Sequence, residues 1–384
     1  MPIYQQRGSI PDKRHIQHYY KKNKLCYEEH ISREGFSDIY SNVYHIHPPT
    51  KISKYGDFTP LEHKPSGDRV HRHHHLELFN IKSGGDWVTG RKYLLFNNDV
   101  VLSLAAPDHD VKYFYRNGHA DEVLFIHYGA GTVESMFGRL DFHAGDYIMI
   151  PRGVIHQIHF TSDNNRMFII ESTGPVRTPK RYRNEQGQLL EHAPFTERDF
   201  RLPEFVEPED RSGDHEIHLK LKNGFQTYYL AHHPFDLVGW DGYYFPWIFN
   251  IGDFMPITGK IHQPPPVHQT FAASGFVICS FVPRLFDYHE KSIPAPYAHS
   301  NLESDEILYY AAGDFMSRKG ISIGSMTIHP QGIPHGPQPG RYEGSIGKKA
   351  TDEVAVMLDT FSPLHLTDDA MRYDDPKYPY SWLE

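Results

Sequence analysis

Three residues in the last quarter of the chain, His299, Glu306 and His335, have the types and spacing of a metal site: His299 stands seven positions before Glu306, and His335 stands 29 after it. Two imidazoles and a carboxylate can hold one face of an octahedral ferrous ion and leave the opposite positions open for a substrate and dioxygen. Of the usual metal-donor types the chain is rich in one and poor in another, with 28 histidines but only two cysteines, Cys26 and Cys279, far apart in sequence. By themselves these two cannot make a disulfide framework or a zinc knuckle. Any bound metal is therefore expected on histidine and carboxylate.

The elements that must position these residues occur twice. "ADEVLFIHYGAG" (Ala120 to Gly131) matches "SDEILYYAAGDF" (Ser304 to Phe315), and each is followed by a second block. Gly145, Pro151, Gly153 and His156 recur at the same spacing as Gly324, Pro330, Gly332 and His335. The pair of blocks resembles the two-part signature of the cupin superfamily, which implies a duplicated jelly-roll barrel, a bicupin. Strand alternation then points the Glu and the His of each block inward. Only the second half completes a ligand set. In the first, Glu122 and His156 match Glu306 and His335, but Tyr115 stands where His299 stands, Asn117 matches Asn301, and His119 lies too near the Glu for an assured inward direction. The first barrel is thus expected to carry no metal. Asp305 adjoins Glu306, and only one of the two can face inward. Glu306 is the choice, because it alone keeps the gap to Gly313 that Glu122 keeps to Gly129.

The remainder of the sequence agrees with an all-β chain. Aromatics at 14%, with 29 Pro and 30 Gly distributed throughout, suit short strands joined by turns. Residues 1–175 read as an N-terminal β region with a degenerate first cupin, 176–240 as a polar, irregular connector with additional strands, and 241–384 as the metal-binding cupin. A net charge of -9 without a dense Lys/Arg run gives no footprint for nucleic acid or an anionic membrane. No apolar run suits a signal peptide or a spanning helix, so a cytoplasmic location is expected. The densest histidine run, "HRHHHLELF" from His71 to Phe79, has no carboxylate at the repeat's spacing. It reads as a partly solvated edge strand, with His71, His73 and His75 on one face and Arg72 and His74 on the other.

Longer stretches carry a closer resemblance. "YHIHPPT", "HPFDLVGWDGYYFPWIFNIGDFMPITGKIHQPPPVHQTF", "PYAHSNLESDE" and "HPQGIPHGP" look like the homogentisate 1,2-dioxygenase family. The resemblance implies Fe(II) on His299, Glu306 and His335, His262 as the catalytic histidine with His268 as fallback, and His329, His335 and Phe315 at the substrate. It implies ring cleavage of homogentisate by O2 to maleylacetoacetate, in tyrosine and phenylalanine catabolism, by a homo-oligomer, a trimer or dimer of trimers. Two departures stand out. His299 and Glu306 are one residue further apart than in the family pattern, which keeps Asp305 open as a ligand. Phe315, nine residues after Glu306, replaces a substrate-contacting tyrosine, which points to gentisate or a similar acid, or to a compensating Tyr309 or Tyr310. The alternative from another class is a noncatalytic, ligand-binding bicupin.

Overall fold

Side-chain alternation along the strands Asp121–Tyr128 and Glu306–Ala312 sets the architecture of the computed structural model, which describes residues 3–383. Val123 and Phe125 enter a core shared with Ile307, Tyr309 and Val356, whereas Leu124 and Ile126 enter a second core with Trp87, Ile158 and Trp240. Asp121–Tyr128 lies within an eight-stranded sheet, so that sheet is covered on both faces, by a seven-stranded sheet on one side and a six-stranded sheet on the other. The architecture is all-β, a duplicated cupin whose barrels lie back to back. Each large apolar side chain buried in the shared core contributes roughly 1.5–3 kcal/mol.

The duplication extends to individual hydrogen bonds. In the first half the Gly145 N–H donates to the Ile126 carbonyl (2.7 Å) and the Gly153 N–H to that of Asn117 (2.7 Å); in the second, Gly324 donates to Tyr310 (2.8 Å) and Gly332 to Asn301 (2.6 Å). Gly153 and Gly332 have φ of 85° and 76°, a region that costs other L-residues roughly 1–2 kcal/mol. Asp121 and Asp305 also correspond. Asp121 accepts from the Arg152 N–H (2.9 Å) and Asp305 from the Gln331 N–H (2.8 Å), in each case the residue between the Pro and Gly of the repeat. The second oxygen of Asp305 accepts from the Leu364 N–H at 2.7 Å. Asp305 therefore staples the turn that leads to His335, and Glu306 is the carboxylate that faces the barrel interior.

The strands do not sort by the expected boundaries at 175 and 240. Trp247–Asn250, assigned to the second barrel, pairs with Asp146–Ile150 of the first, and His365–Leu366 pairs with Lys92–Phe96. The connector is also more ordered than its polarity suggested. Ser212–Leu221 and Gly224–His232 form a long hairpin, and Leu189, Ala193 and Phe195 are buried in the core shared by the barrels. Sequence-local patterning marks where a strand is, but not which sheet edge it will complete. The same applies to "HRHHHLELF". His74–Leu76 adds an edge strand to the six-stranded sheet of the second barrel, pairing with Met326–His329, and His73, His74 and His75 are buried rather than solvated. The expected alternation does hold. His74 and Arg72 both meet Asp374, while His73 meets the Pro334 carbonyl and His75 the Ser325 hydroxyl.

Candidate metal centre

Glu306 opens its strand, and His299 and His335 reach it from loops tied together by two backbone hydrogen bonds, His299 N–H to the His335 carbonyl at 2.8 Å and the reverse at 2.9 Å. His299 Nε2 lies 3.4 Å from Glu306 Oε2 and His335 Nε2 3.2 Å from Oε1, and one ligand atom from each residue falls within 4.8 Å of the others. Strand pairing puts His329 opposite Glu306, where its Nδ1–H donates to Oε1 at 2.8 Å. Burial alone would raise the Glu306 carboxyl, but the three imidazoles around it, His299, His329 and His335, hold it well below the usual range. Burial pushes His329 down to about 3, against its bond to Glu306, so its imidazole is neutral.

The donor set fits a divalent cation. Both ring nitrogens of buried His335 lack a hydrogen-bond partner, as does Asp359 Oδ1, and Asp359 is the cross-strand neighbour of Glu306. Burial, together with the Glu306 charge, pushes Asp359 up to about 7. Two carboxylates and two imidazoles meeting in a barrel interior leave a place for positive charge. The first barrel fills that place with its own cation. Arg91 Nη2 lies 2.8 Å from Glu122 and Nη1 2.9 Å from Glu171, and Glu171 is the cross-strand neighbour of Glu122 as Asp359 is of Glu306. Tyr115, in the His299 position, donates its hydroxyl to Glu122 at 3.1 Å. A guanidinium thus stands where the second barrel has room for a metal.

The second site opens into a cavity of about 270 Å³ lined by Leu308, Tyr310, Phe315, Met357 and Phe281 among others. For scale, an apolar cavity of ~150 Å³ takes benzene. Tyr310 lines it, its hydroxyl 2.9 Å from that of Thr327. Tyr309 alternates to the other face, where its hydroxyl lies 2.6 Å from His127 Nδ1 in the core between barrels. Both candidate catalytic histidines line the cavity. His262 is half-exposed, its Nδ1 3.9 Å from Asp287. His268 is packed on Phe281 with a ring-centroid distance of 4.6 Å, and burial, with help from Arg284 and His262, pushes it down to about 3. Phe315, His299 and His335 also line the cavity, but His329 does not. It is fully buried behind Glu306, away from the cavity wall where a substrate contact was expected of it.

A sequence profile described as the N-terminal part of homogentisate 1,2-dioxygenase matches residues 94–251. The homogentisate 1,2-dioxygenase of Bradyrhizobium diazoefficiens is 26% identical over 67% of this chain, and that of Emericella nidulans is 24% identical over 82%. A protein of Saccharolobus solfataricus, provisionally described as a dioxygenase, is 42% identical over 100% of this chain and 99% of its own length. The chain belongs to the homogentisate 1,2-dioxygenase family. It spans only 59% of the length of the Bradyrhizobium enzyme and 70% of the Emericella enzyme. A cupin 2 conserved barrel domain protein from Leptotrichia buccalis superposes with a TM-score of 0.35 at 10% identity, covering 77% of this chain and 99% of its own.

In this member of the family, several residues around the site carry no local sequence signal. His73 packs edge-on against His329 (5.5 Å) and His335 (6.2 Å), and Trp382, from the C-terminal segment, packs on His73 at 4.9 Å. The histidine-dense run thus buttresses the candidate centre without supplying a ligand. Asp359 and Glu171 did leave a trace, each a lone carboxylate near the end of an otherwise apolar strand in "VAVMLDTF" and "RMFIIES". Arg318, inside an unremarkable "MSRKG", left none.

Proposed function

We propose that this family member is an Fe(II)-dependent ring-cleaving dioxygenase that converts homogentisate and O2 to maleylacetoacetate. One observation carries the reading: His299, Glu306 and His335 converge at the base of a largely apolar cavity of a size for one substituted ring. Three protein ligands on one face suit a non-haem ferrous ion with open positions. Bound there, Fe(II) would supply the electron path between a ring hydroxyl and dioxygen, and would acidify that hydroxyl as metals acidify bound water.

The chain's own residues do the rest. His329 fixes the Glu306 carboxylate, and such outer hydrogen bonds set ligand orientation. Leu308, Phe315 and Met357 exclude water from the ring. His262, at the half-exposed mouth, takes the phenolic proton and passes it to solvent. His268, held neutral, can accept a hydrogen bond beside it but is a poor proton acceptor near neutral pH. Phe315 favours a second reading, gentisate or another hydroquinone-type acid, since a phenyl ring offers no hydroxyl where the family pattern has one.

The test is oxygen consumption by the Fe(II)-reconstituted protein with homogentisate, gentisate, hydroquinone and catechol. Uptake with homogentisate is expected. Uptake with gentisate alone would change the substrate and keep the chemistry. With no uptake for any of the four, the dioxygenase reading fails. An iron-free protein whose behaviour is unchanged in His299→Ala would then mark a ligand-binding bicupin.

A further inference from the structure

Arg318 is a buried charge without a carboxylate of its own. It is 6% exposed, it lines the same cavity as the three candidate ligands, and its Nε has no hydrogen-bond partner. Its Nη1 donates to the Gly336 carbonyl at 2.6 Å, next to His335, and to the Ser317 carbonyl at 3.3 Å. Its Nη2 lies 3.4 Å from His329 Nε2, and the Trp382 ring centroid is 5.8 Å away. The other arginine on the cavity, Arg284, is matched to Glu353 at 2.9 Å. The carboxylate whose charge acts on Arg318 is Glu306, which a bound metal would claim. Taking a guanidinium out of water without an anion is costly, and these neutral carbonyl and ring contacts fix its position without neutralising it.

We propose that Arg318 is the specificity-determining residue that binds the carboxylate on the side arm of the ring. The proposal rests on the reading of the cavity as an aromatic-acid site and names the group that selects the acid. A guanidinium presents five N–H donors in a planar fork suited to a carboxylate. Anchored through Gly336 and beside His329, Arg318 holds that fork at a fixed offset from the metal ligands. A ring hydroxyl at the ligand set and a carboxylate at Arg318 then fix both ends of the substrate, with Phe315 and Leu308 against the ring. This also accounts for Phe315: with a charged anchor present, the missing tyrosine hydroxyl is not needed to recognise the acid.

The experiment is anaerobic calorimetric titration of the Fe(II)-loaded protein with 2,5-dihydroxyphenylacetate and with its neutral amide. The wild-type protein is expected to prefer the acid by about tenfold or more, the scale of a charge-assisted hydrogen bond. Arg318→Gln is expected to bring the preference below about threefold, with Arg318→Lys retaining part of it. A wild-type protein that binds acid and amide equally overturns the proposal, and that comparison needs no variant to fold. So does an Arg318→Gln protein that keeps the full preference. Oxygen uptake separates the two ideas. An Arg318-dependent preference without uptake would sink the dioxygenase reading alone, and uptake with an unchanged preference in Arg318→Gln would sink this proposal alone.

Discussion

Replacing Arg91 with methionine should unfold the first barrel more readily by an amount set by which carboxylate is stranded. Arg91 bridges Glu122 and Glu171 in a fully buried pocket. Glu171 keeps Lys220 and the Asn117 amide as partners, but Glu122 keeps only the Tyr115 hydroxyl. Arg91→Met therefore leaves one uncompensated buried carboxylate, and removing one partner of a buried pair costs about 3–5 kcal/mol. Adding Glu122→Gln removes the stranded charge while preserving an acceptor for Tyr115, so the double variant should recover most of that loss, to within about 1 kcal/mol of wild type. Urea denaturation of the two single variants and the double variant forms the cycle. A loss below about 1 kcal/mol in Arg91→Met, or a double variant no better than the single, would refute the idea that this guanidinium replaces a metal.

The other expectations concern the second barrel and one distant ion triad. Glu306→Gln should abolish metal binding, whereas Asp305→Asn should keep it and instead destabilise the fold by about 1–3 kcal/mol, because Asp305 accepts two backbone N–H bonds; metal analysis and thermal melts separate the two. His329→Ala should weaken metal affinity about 10–100-fold without removing a ligand, as read by chelator competition. His45 donates to Asp236 (2.7 Å) and lies 3.0 Å from Glu29. Burial opposes its protonation, but these two hydrogen bonds win and raise it from 6.5 to about 9. A raised folded-state value means that His45 stabilises fully below about pH 6.5 and that this stability is lost as the pH rises through 9. The melting temperature should fall across that window, and Asp236→Asn should flatten the fall.

The parts of the fold written as short-range patterns were legible in the sequence. The repeated Gly-Pro-Gly-His block encodes a turn whose hydrogen bonds recur in both halves, and alternation allowed only one of Asp305 and Glu306 to face inward, with the repeat's spacing to Gly313 choosing Glu306; that Asp305 instead holds the turn's backbone was not legible. It also separates Tyr310, on the cavity, from Tyr309, in the core, once the strand's first residue is fixed. Contacts between distant segments were not legible. Nothing local in "HRHHHLELF" says that it completes the sheet that carries His329, and nothing in "WIFN" says that it belongs to the first barrel. Arg91 and Arg318 were missed for the same reason. A lone arginine in sequence is ordinarily solvated, and only the tertiary structure shows that one neutralises Glu122 and the other faces a cavity with no carboxylate partner.

Labelled dioxygen offers the most direct test of the whole account. With 18O2, homogentisate and the Fe(II)-loaded protein, both labelled atoms should appear in the ring-opened product, and Glu306→Gln should form none. Uptake with the label recovered as water or hydrogen peroxide, or full product formation by Glu306→Gln, would contradict a ring-cleaving centre built on His299, Glu306 and His335.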